Sequence, residues 1–554
     1  MTTSAEYVEA NAKDVPLEAA SRSRQRARVP EHVDVAVIGS GLGGLTAAAY
    51  LAQRGLSVAV FESHYVAGGC GTHFVRGGKH DRYRFDVGLH YIGDCGPGGD
   101  IPRILRGVGI ELDYAALDPD GFDTLVFPDL EFRIPANVEL YRERLIAAFA
   151  HERRAIDRYV RLLEQVGRAS RRVQSKGKLG ARDALALFFD LFALGRNQNR
   201  TIAQVLDACG ARDPKLRAVL VGQNGDYALP PSKVSAFLHL GLAEHYFRGA
   251  YYPKGGGQTI ADRLAARIEA CGGTIHLRRG VERIVIEDGH ARGVRLEAKA
   301  GGAPVDVRAR VVLSNADLRV TFERLIGFDH LPASLVTRTQ RFEMAAALFM
   351  TFLGVRGALS ARGMRPANYW QFDDYDMEGH YAPSRGPLRA HGCYITSASM
   401  KDPENALFHA PAGINNVEVM TVVPTGDPWH VGDEAARAYR YKDNHAYRAL
   451  KDELEADMIA RFDRLFPGVA KDIVYRESAT PVTHQRYTRT FDGSPYGLAA
   501  TPAQFMKNRP GYRGPIPGLY LCGGSTRAGH GIVGAMRGGA QAARRIAEAA
   551  ELRV

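Results

Sequence analysis

Along this chain the apolar positions change rhythm several times, and the changes divide it into two interleaved parts. Val33 to Ile38 is a β-branched run of the kind found in strands buried on both faces. Leu45 to Arg54 carries Ala and Leu at helical spacing, and Leu56 to Phe61 is a second short apolar strand. The same alternation returns at Thr259 to Ala270 (helix), Thr274 to Leu277 and Val281 to Glu287 (strands). It appears again at Arg310 to Ala316 and at Gly518 to Gly524, which leads into a helix from Ile532. Between these stretches, Phe122 to Ile134 reads as two short strands and residues 138 to 250 as mainly helical. Residues 345 to 490 (ALFMTFLGV, GCYITSAS, NNVEVMTVV) read as an antiparallel sheet with one long helix over roughly Ala435 to Phe466. The pattern predicts an α/β protein. A Rossmann-type domain built from 32–120, 250–344 and 491–554 is interrupted by an α+β domain of 121–249 and 345–490 with a helical cap. Residues 1–31 read as a mobile basic tail.

The first apolar strand runs directly into Gly39-x-Gly41-x-x-Gly44. In such a turn the first glycine permits the tight bend, the second lets a pyrophosphate approach the backbone, and the third lets the helix pack on the strand. Glu62 ends the next strand, where a carboxylate can accept hydrogen bonds from a ribose. Strand, turn, helix, strand and acid occur in register, which defines a dinucleotide site. A second small-residue loop follows at Ala67-Gly68-Gly69-Cys70-Gly71-Thr72. No second complete G-x-G-x-x-G unit exists, so the pattern favours one tightly held dinucleotide over a flavin plus a dedicated nicotinamide domain.

Composition adds exclusions. Apolar residues make up 45% and charged residues 24%, ordinary values for a globular chain. The six cysteines show no C-x-x-C spacing, which argues against a zinc site, an iron–sulfur cluster or a disulfide framework, and no metal site is expected. The net charge of +11 comes without a recognised nucleic-acid module, so no nucleic-acid partner is expected. Part of that charge flanks Ala184 to Leu194 (ALALFFDLFAL), a stretch too short to span a bilayer. Two readings of it stand: an interfacial anchor, or a helix buried over a substrate cavity. With no secretory signal or spanning segment in the sequence, the expected location is cytoplasmic, with peripheral contact at the inner membrane surface through 184–194.

Several segments together resemble the phytoene desaturase superfamily of flavoproteins, which share the amine oxidase layout, and within it the retinol saturases. They are AGGCGTHF at 67–74, FDVGLHYIG at 85–93, AYYPKGGGQTIA at 250–261, DDYDME at 373–378 and IPGLYLCGGSTRAGHGIVGA at 516–535. The resemblance implies FAD as cofactor, with NAD(P)H as a transient electron donor. It implies Gly39, Gly41, Gly43 and Gly44 at the pyrophosphate, Glu62 at the adenosine ribose, and Gly68 and Gly69 along the flavin side. Val281 would meet the adenine through its backbone. Gly523, Ser525, Ile532 and Val533 would meet the ribityl chain and ring. The implied substrate is a long hydrophobic polyene, and the implied reaction is saturation of a C=C bond. Desaturation, isomerisation and reductive cyclisation of a polyene tetramate are alternatives. In another class stands a prenyl-binding role like that of the GDP-dissociation inhibitors. His90 and Tyr91, where the chain departs from the plant and bacterial carotenoid enzymes, are the expected catalytic pair. They come from a wider set of proton donors that includes Tyr251, His484, Tyr487 and Tyr496. Asp373 and Asp374 read as loop residues.

Overall fold

The computed structural model describes residues 24, 27–78, 81–174, 195–298, 302–382, 388–425, 429, 431 and 440–549. Most of the basic tail and the whole of 184–194 lie outside the described residues. Among the described residues, no helix is long and apolar enough to cross a membrane.

Two seven-stranded sheets organise the molecule. In the first, Thr274–His276, Val58–Phe61, His32–Ile38, Val305–Ser314 and Leu519–Leu521 lie side by side and parallel. A hairpin, Val281–Glu287 and His290–Leu296, is added antiparallel to the first half of Val305–Ser314. Val35, Val37 and Val311 are fully buried, as the β-branched runs require of strands covered on both faces. One face is covered by the helix Leu42–Ala52, which packs against Gly531–Glu548 and Gln258–Ala270. The first of these helices begins three residues earlier than its apolar spacing predicts. Gly41 caps it with no side-chain bond, so its amides start at the glycine turn itself.

Register decides what this sheet presents. Ile38 pairs with Ser314 and Ser314 with Leu521, so three strands end level. The turns that follow, at 39–41, 315–317 and 522–526, therefore emerge together at the carboxyl edge, where open α/β sheets bind ligands.

The second sheet takes strands from both halves of the interrupting sequence. Its order is Ile473–Ala479, Ala347–Arg356, Ile414–Val423, Gly392–Thr396, Asn368–Phe372, Asp123–Phe127 and Leu130–Ile134. Every pairing is antiparallel except Asn368–Phe372 with Asp123–Phe127, which run parallel and join the two chain segments. Side chains alternate across the sheet. Phe349, Leu353 and Val355 pack with Leu454, Met458 and Phe462 of the helix His445–Leu465. Leu348, Met350 and Phe352 point the other way, into the cavity described below. That long helix starts later than Ala435 among the described residues, because Asn444 caps it by accepting from Tyr447 N at 3.1 Å. Over the cavity face lie the helices Val138–Ala148, Arg153–Gln174, Ile202–Cys209, Pro214–Leu220 and Ala236–Phe247.

Candidate active site

Glycines from two loops converge on one side chain, that of Asn315. A Cβ on Gly41 would sit 2.8 Å from Asn315 Nδ2, one on Gly43 2.6 Å from Asn315 Oδ1, and one on Gly523 2.9 Å from the same oxygen. The second small-residue loop lies directly on the first. Gly68 N donates to Ser40 O at 2.9 Å, and a Cβ on Gly69 would come within 3.0 Å of Gly41 Cα. Gly69 adopts φ +59° and Gly523 φ +89°, conformations that favour glycine. Gly44 differs from the other three glycines of the motif. It faces away from the cavity, and a Cβ there would run into Gly39 O, so its role is helix-on-strand packing.

Glu62 is almost fully buried and already well bonded. Its Oε2 accepts from Ser40 N and Ser40 Oγ, both at 2.8 Å, and its Oε1 from His64 N at 2.7 Å.

From these loops a cavity of about 660 Å³ runs between the two sheets. Gly39, Gly41, Gly43, Glu62, Gly68, Gly69, Val281, Gly523, Ser525, Ile532 and Val533 line one end, and His90 and Tyr91 line its wall. At the other end stand Leu348, Met350, Phe352, Trp370, Phe372 and Met420 of the second sheet, closed by Leu238, Leu242 and Tyr246 of the helical layer. His484, Tyr487 and Tyr496 also line it. Tyr251 does not, because alternation along Ala250–Pro253 turns Tyr252 to Asp86 and Tyr251 to the opposite side. Asp373 forms a two-pronged pair with Arg461 at 2.8 and 2.7 Å, and Asp374 lies 3.0 Å from His380 Nε2. Both therefore have fixed structural partners.

His90 and Tyr91 are neighbours in sequence that serve different polar clusters. His90 Nδ1 lies 2.8 Å from Glu418 Oε2, at ion-pair distance but off the line of a straight hydrogen bond. Asp86 N donates to Glu418 Oε1 at 2.7 Å, and the Tyr252 hydroxyl donates to Asp86. Burial beside Glu418 lifts Asp86 to about 6. Asp86, His90 and Glu418 offer three ligand atoms within 4.8 Å. The buried Lys401 supplies the counter-charge there, donating to His90 O and to Thr396 Oγ1, and desolvation lowers it to about 8. Tyr91 instead reaches Asp226 Oδ2 at 2.7 Å and Asp123 Oδ2 at 3.0 Å. Nothing local in the sequence marks Asp123, Asp226, Lys401 or Glu418 as site residues. Only Asn315, in a polar turn after an apolar strand, carried any local signal.

The residues fit a dinucleotide with a flavin ring. The amides of the helix at Leu42 have no side-chain cap, and the helix Gly531–Glu548 likewise begins without one. His530, at that second helix start, lines the cavity with both ring nitrogens buried and unbonded, and its ring lies 5.2 Å from that of Tyr496. Burial beside Arg509 holds His530 neutral down to about 3, so it offers a neutral imidazole to a bound group. Arg509 braces this end by donating to Gly524 O, Leu498 O and Gln504 O.

A parallel sheet with a dinucleotide turn, joined to a second sheet over an apolar chamber, defines a flavin-dependent oxidoreductase. Residues 42–352 match the family of flavin containing amine oxidoreductases, and the chain belongs to that family. Its cofactor is FAD. The chain is 29% identical over 542 residues to all-trans-retinol 13,14-reductase of Rattus norvegicus, covering 92% of this chain and 85% of the relative. It is 25% identical over 541 residues to the chloroplastic prolycopene isomerase of Daucus carota, covering 93% and 80%. An oxidoreductase from Methanosarcina mazei shares the fold, with a TM-score of 0.58 at 18% identity over 92% of this chain and 99% of that one.

Proposed function

We propose that this enzyme saturates a C=C bond of a long hydrophobic polyene. The observation that carries this reading is one continuous cavity that joins the three glycine loops to a chamber of Leu348, Met350, Phe352, Trp370, Phe372 and Met420. Such walls bury an extended apolar chain and exclude water. The family relationship to retinol reductases and prolycopene isomerases supports a conjugated substrate.

Reduced FAD, when bound, supplies a hydride to one carbon of the double bond. In this reading Gly39, Gly41 and Gly43 give backbone approach to the pyrophosphate, and Glu62 holds the adenosine ribose. Val281 borders the adenine, and Gly68, Gly69, Gly523, Ser525, Ile532 and Val533 surround the ribityl chain and ring. Gly44 seats the helix beneath them. His90 and Tyr91 form the wall between cofactor and chamber, with Glu418 and Asp226 as their respective partners. Residues 32–120, 250–344 and 491–554 form the FAD domain, and 121–249 with 345–490 the substrate domain. NAD(P)H serves as a transient reductant of the flavin, and the 184–194 segment gives peripheral membrane contact.

The test is anaerobic. Holoenzyme reduced with dithionite is mixed with retinol or another polyene, and the visible band of oxidised flavin is followed beside the product mass. Return of the band with a product heavier by two hydrogens supports saturation. A mass-neutral product with the flavin still reduced assigns isomerisation or cyclisation instead. Bleaching of oxidised enzyme with a product lighter by two hydrogens assigns desaturation.

A further inference from the structure

Two aspartates meet around one tyrosine at the chamber wall, and their hydrogen-bond partners differ. Asp123 is completely buried and surrounded by donors. Asn368 Nδ2 donates to its Oδ1 at 2.9 Å. Trp370 Nε1 (3.1 Å), Gln223 Nε2 (2.6 Å) and the Tyr91 hydroxyl (3.0 Å) reach its Oδ2. Four donors on one carboxyl favour its ionised form. Asp226 has no such set. It lines the cavity from the short turn Asn224–Asp226, and its polar neighbours are the hydroxyls of Tyr91 and Tyr246.

Tyr91 lies between the two acids and carries a single proton. It cannot donate at once to Asp226, 2.7 Å away, and to Asp123. All three groups are satisfied together if Tyr91 donates to the ionised Asp123 and accepts a hydrogen bond from the hydroxyl of a neutral Asp226. Two like charges separated by one phenol also oppose double ionisation. The polar groups facing the pair are Tyr91, Tyr227, Tyr246, Tyr381, Tyr394, Tyr496, Gln223, Asn368 and Trp370, none of them cationic. The cation that acts on the pair is Lys401, which interacts electrostatically with Asp123. Burial and the Asp123 charge raise Asp226 to about 8, while the four donors limit Asp123 to about 6.

We infer that Asp226 is the acid that protonates the substrate carbon, with Tyr91 and the ionised Asp123 as positioning residues that keep it neutral. This rests on the saturase reading. The π pair of the C=C bond forms one new C–H bond with the Asp226 proton, and the hydride supplied by reduced FAD forms the other. The product has gained two hydrogens, FAD is oxidised, and Asp226 is left as a carboxylate that solvent reprotonates before the next turnover.

The test uses full-length holoenzyme and two readouts. Infrared spectra of the oxidised holoenzyme at neutral pH should show the carbonyl stretch of a buried protonated carboxyl. It should disappear as the pH rises through about 8 and be absent in Asp226→Asn. In Asp123→Asn the same band should titrate at lower pH. In anaerobic single turnovers, Asp226→Asn should keep its FAD and bind polyene as the wild type does, yet reoxidise flavin about 10²-fold more slowly or worse. Asp226→Glu should recover part of the rate, and the wild-type rate should fall above pH 8. Wild-type flavin reoxidation by Asp226→Asn, or an infrared band that survives the substitution, overturns the inference. A wild-type enzyme that shows the band but saturates no polyene overturns the saturase reading, and with it the donor role.

Discussion

Replacing Gly43 with Ala should weaken FAD binding without abolishing the fold. The added Cβ would lie 2.6 Å from Asn315 Oδ1, 2.9 Å from Ala535 O and 3.1 Å from Gly523 Cα. Asn315 can swing aside. Ala535 O cannot, since it belongs to the backbone of Gly531–Glu548, which packs along Leu42–Ala52. The two helices must therefore part by several tenths of an ångström, an overpacking strain of about 1–3 kcal/mol. The relaxed apoprotein separates the amides at Leu42 from the Gly523 loop, and binding must draw them together again. At about 1.4 kcal/mol per tenfold, the FAD dissociation constant should rise about 5- to 150-fold. Titration of apoprotein with FAD, followed by flavin fluorescence, measures it. Gly241→Ala in the helix Ala236–Phe247, where a Cβ meets nothing within 4 Å, is the control and should bind FAD normally. Wild-type affinity in Gly43→Ala would refute the close-approach argument.

Other consequences follow from buried polar groups. Arg509→Met leaves three carbonyls without their donor, so it should lower the apparent Tm and weaken FAD retention on gel filtration, by about 2–5 kcal/mol in all. His90→Phe should keep FAD while slowing turnover, and unchanged turnover would remove His90 from the mechanism. His245 Nε2 accepts from Gly93 N at 2.9 Å, and burial beside Arg248 holds the ring neutral to about 3. As pH falls below the unfolded-state value of 6.5, the unfolded chain takes up a proton that the folded one refuses, so stability declines by about 1.4 kcal/mol per pH unit from this group. Unfolding of His245→Gln, measured between pH 6.5 and 4.5, should show a shallower acid loss than wild type.

Some of this protein was written locally in the chain. The βαβ turn needs glycines at fixed spacing and strands buried on both faces, and both requirements leave a mark within one short window. A dinucleotide site was therefore legible from Val33 to Glu62, and the segments at 67–74 and 516–535 carried the resemblance that implied a flavin. Element boundaries were less so: the helix after Gly41 starts at Leu42, because uncapped amides leave no side-chain signal.

What the chain did not show is what long-range packing brings together. Tyr91, Asp123 and Asp226 meet only because Asp123–Phe127 joins the second sheet in parallel with Asn368–Phe372, delivering Asn368 and Trp370 to the same carboxylate. An aspartate in sequence is a solvated charge by default. Whether it keeps a proton depends on which donors and which like charges surround it, and those come from distant segments. In the same way Gly39, Gly41 and Gly44 are one motif in sequence but differ in space, since Gly39 and Gly41 line the cavity and Gly44 does not. The sequence by itself determined the fold class and a dinucleotide site, and its resemblance to a flavoprotein superfamily implied the flavin. Only the tertiary structure decided where the chamber lies and which acid faces it, because burial and charge pairing are properties of the assembled surface.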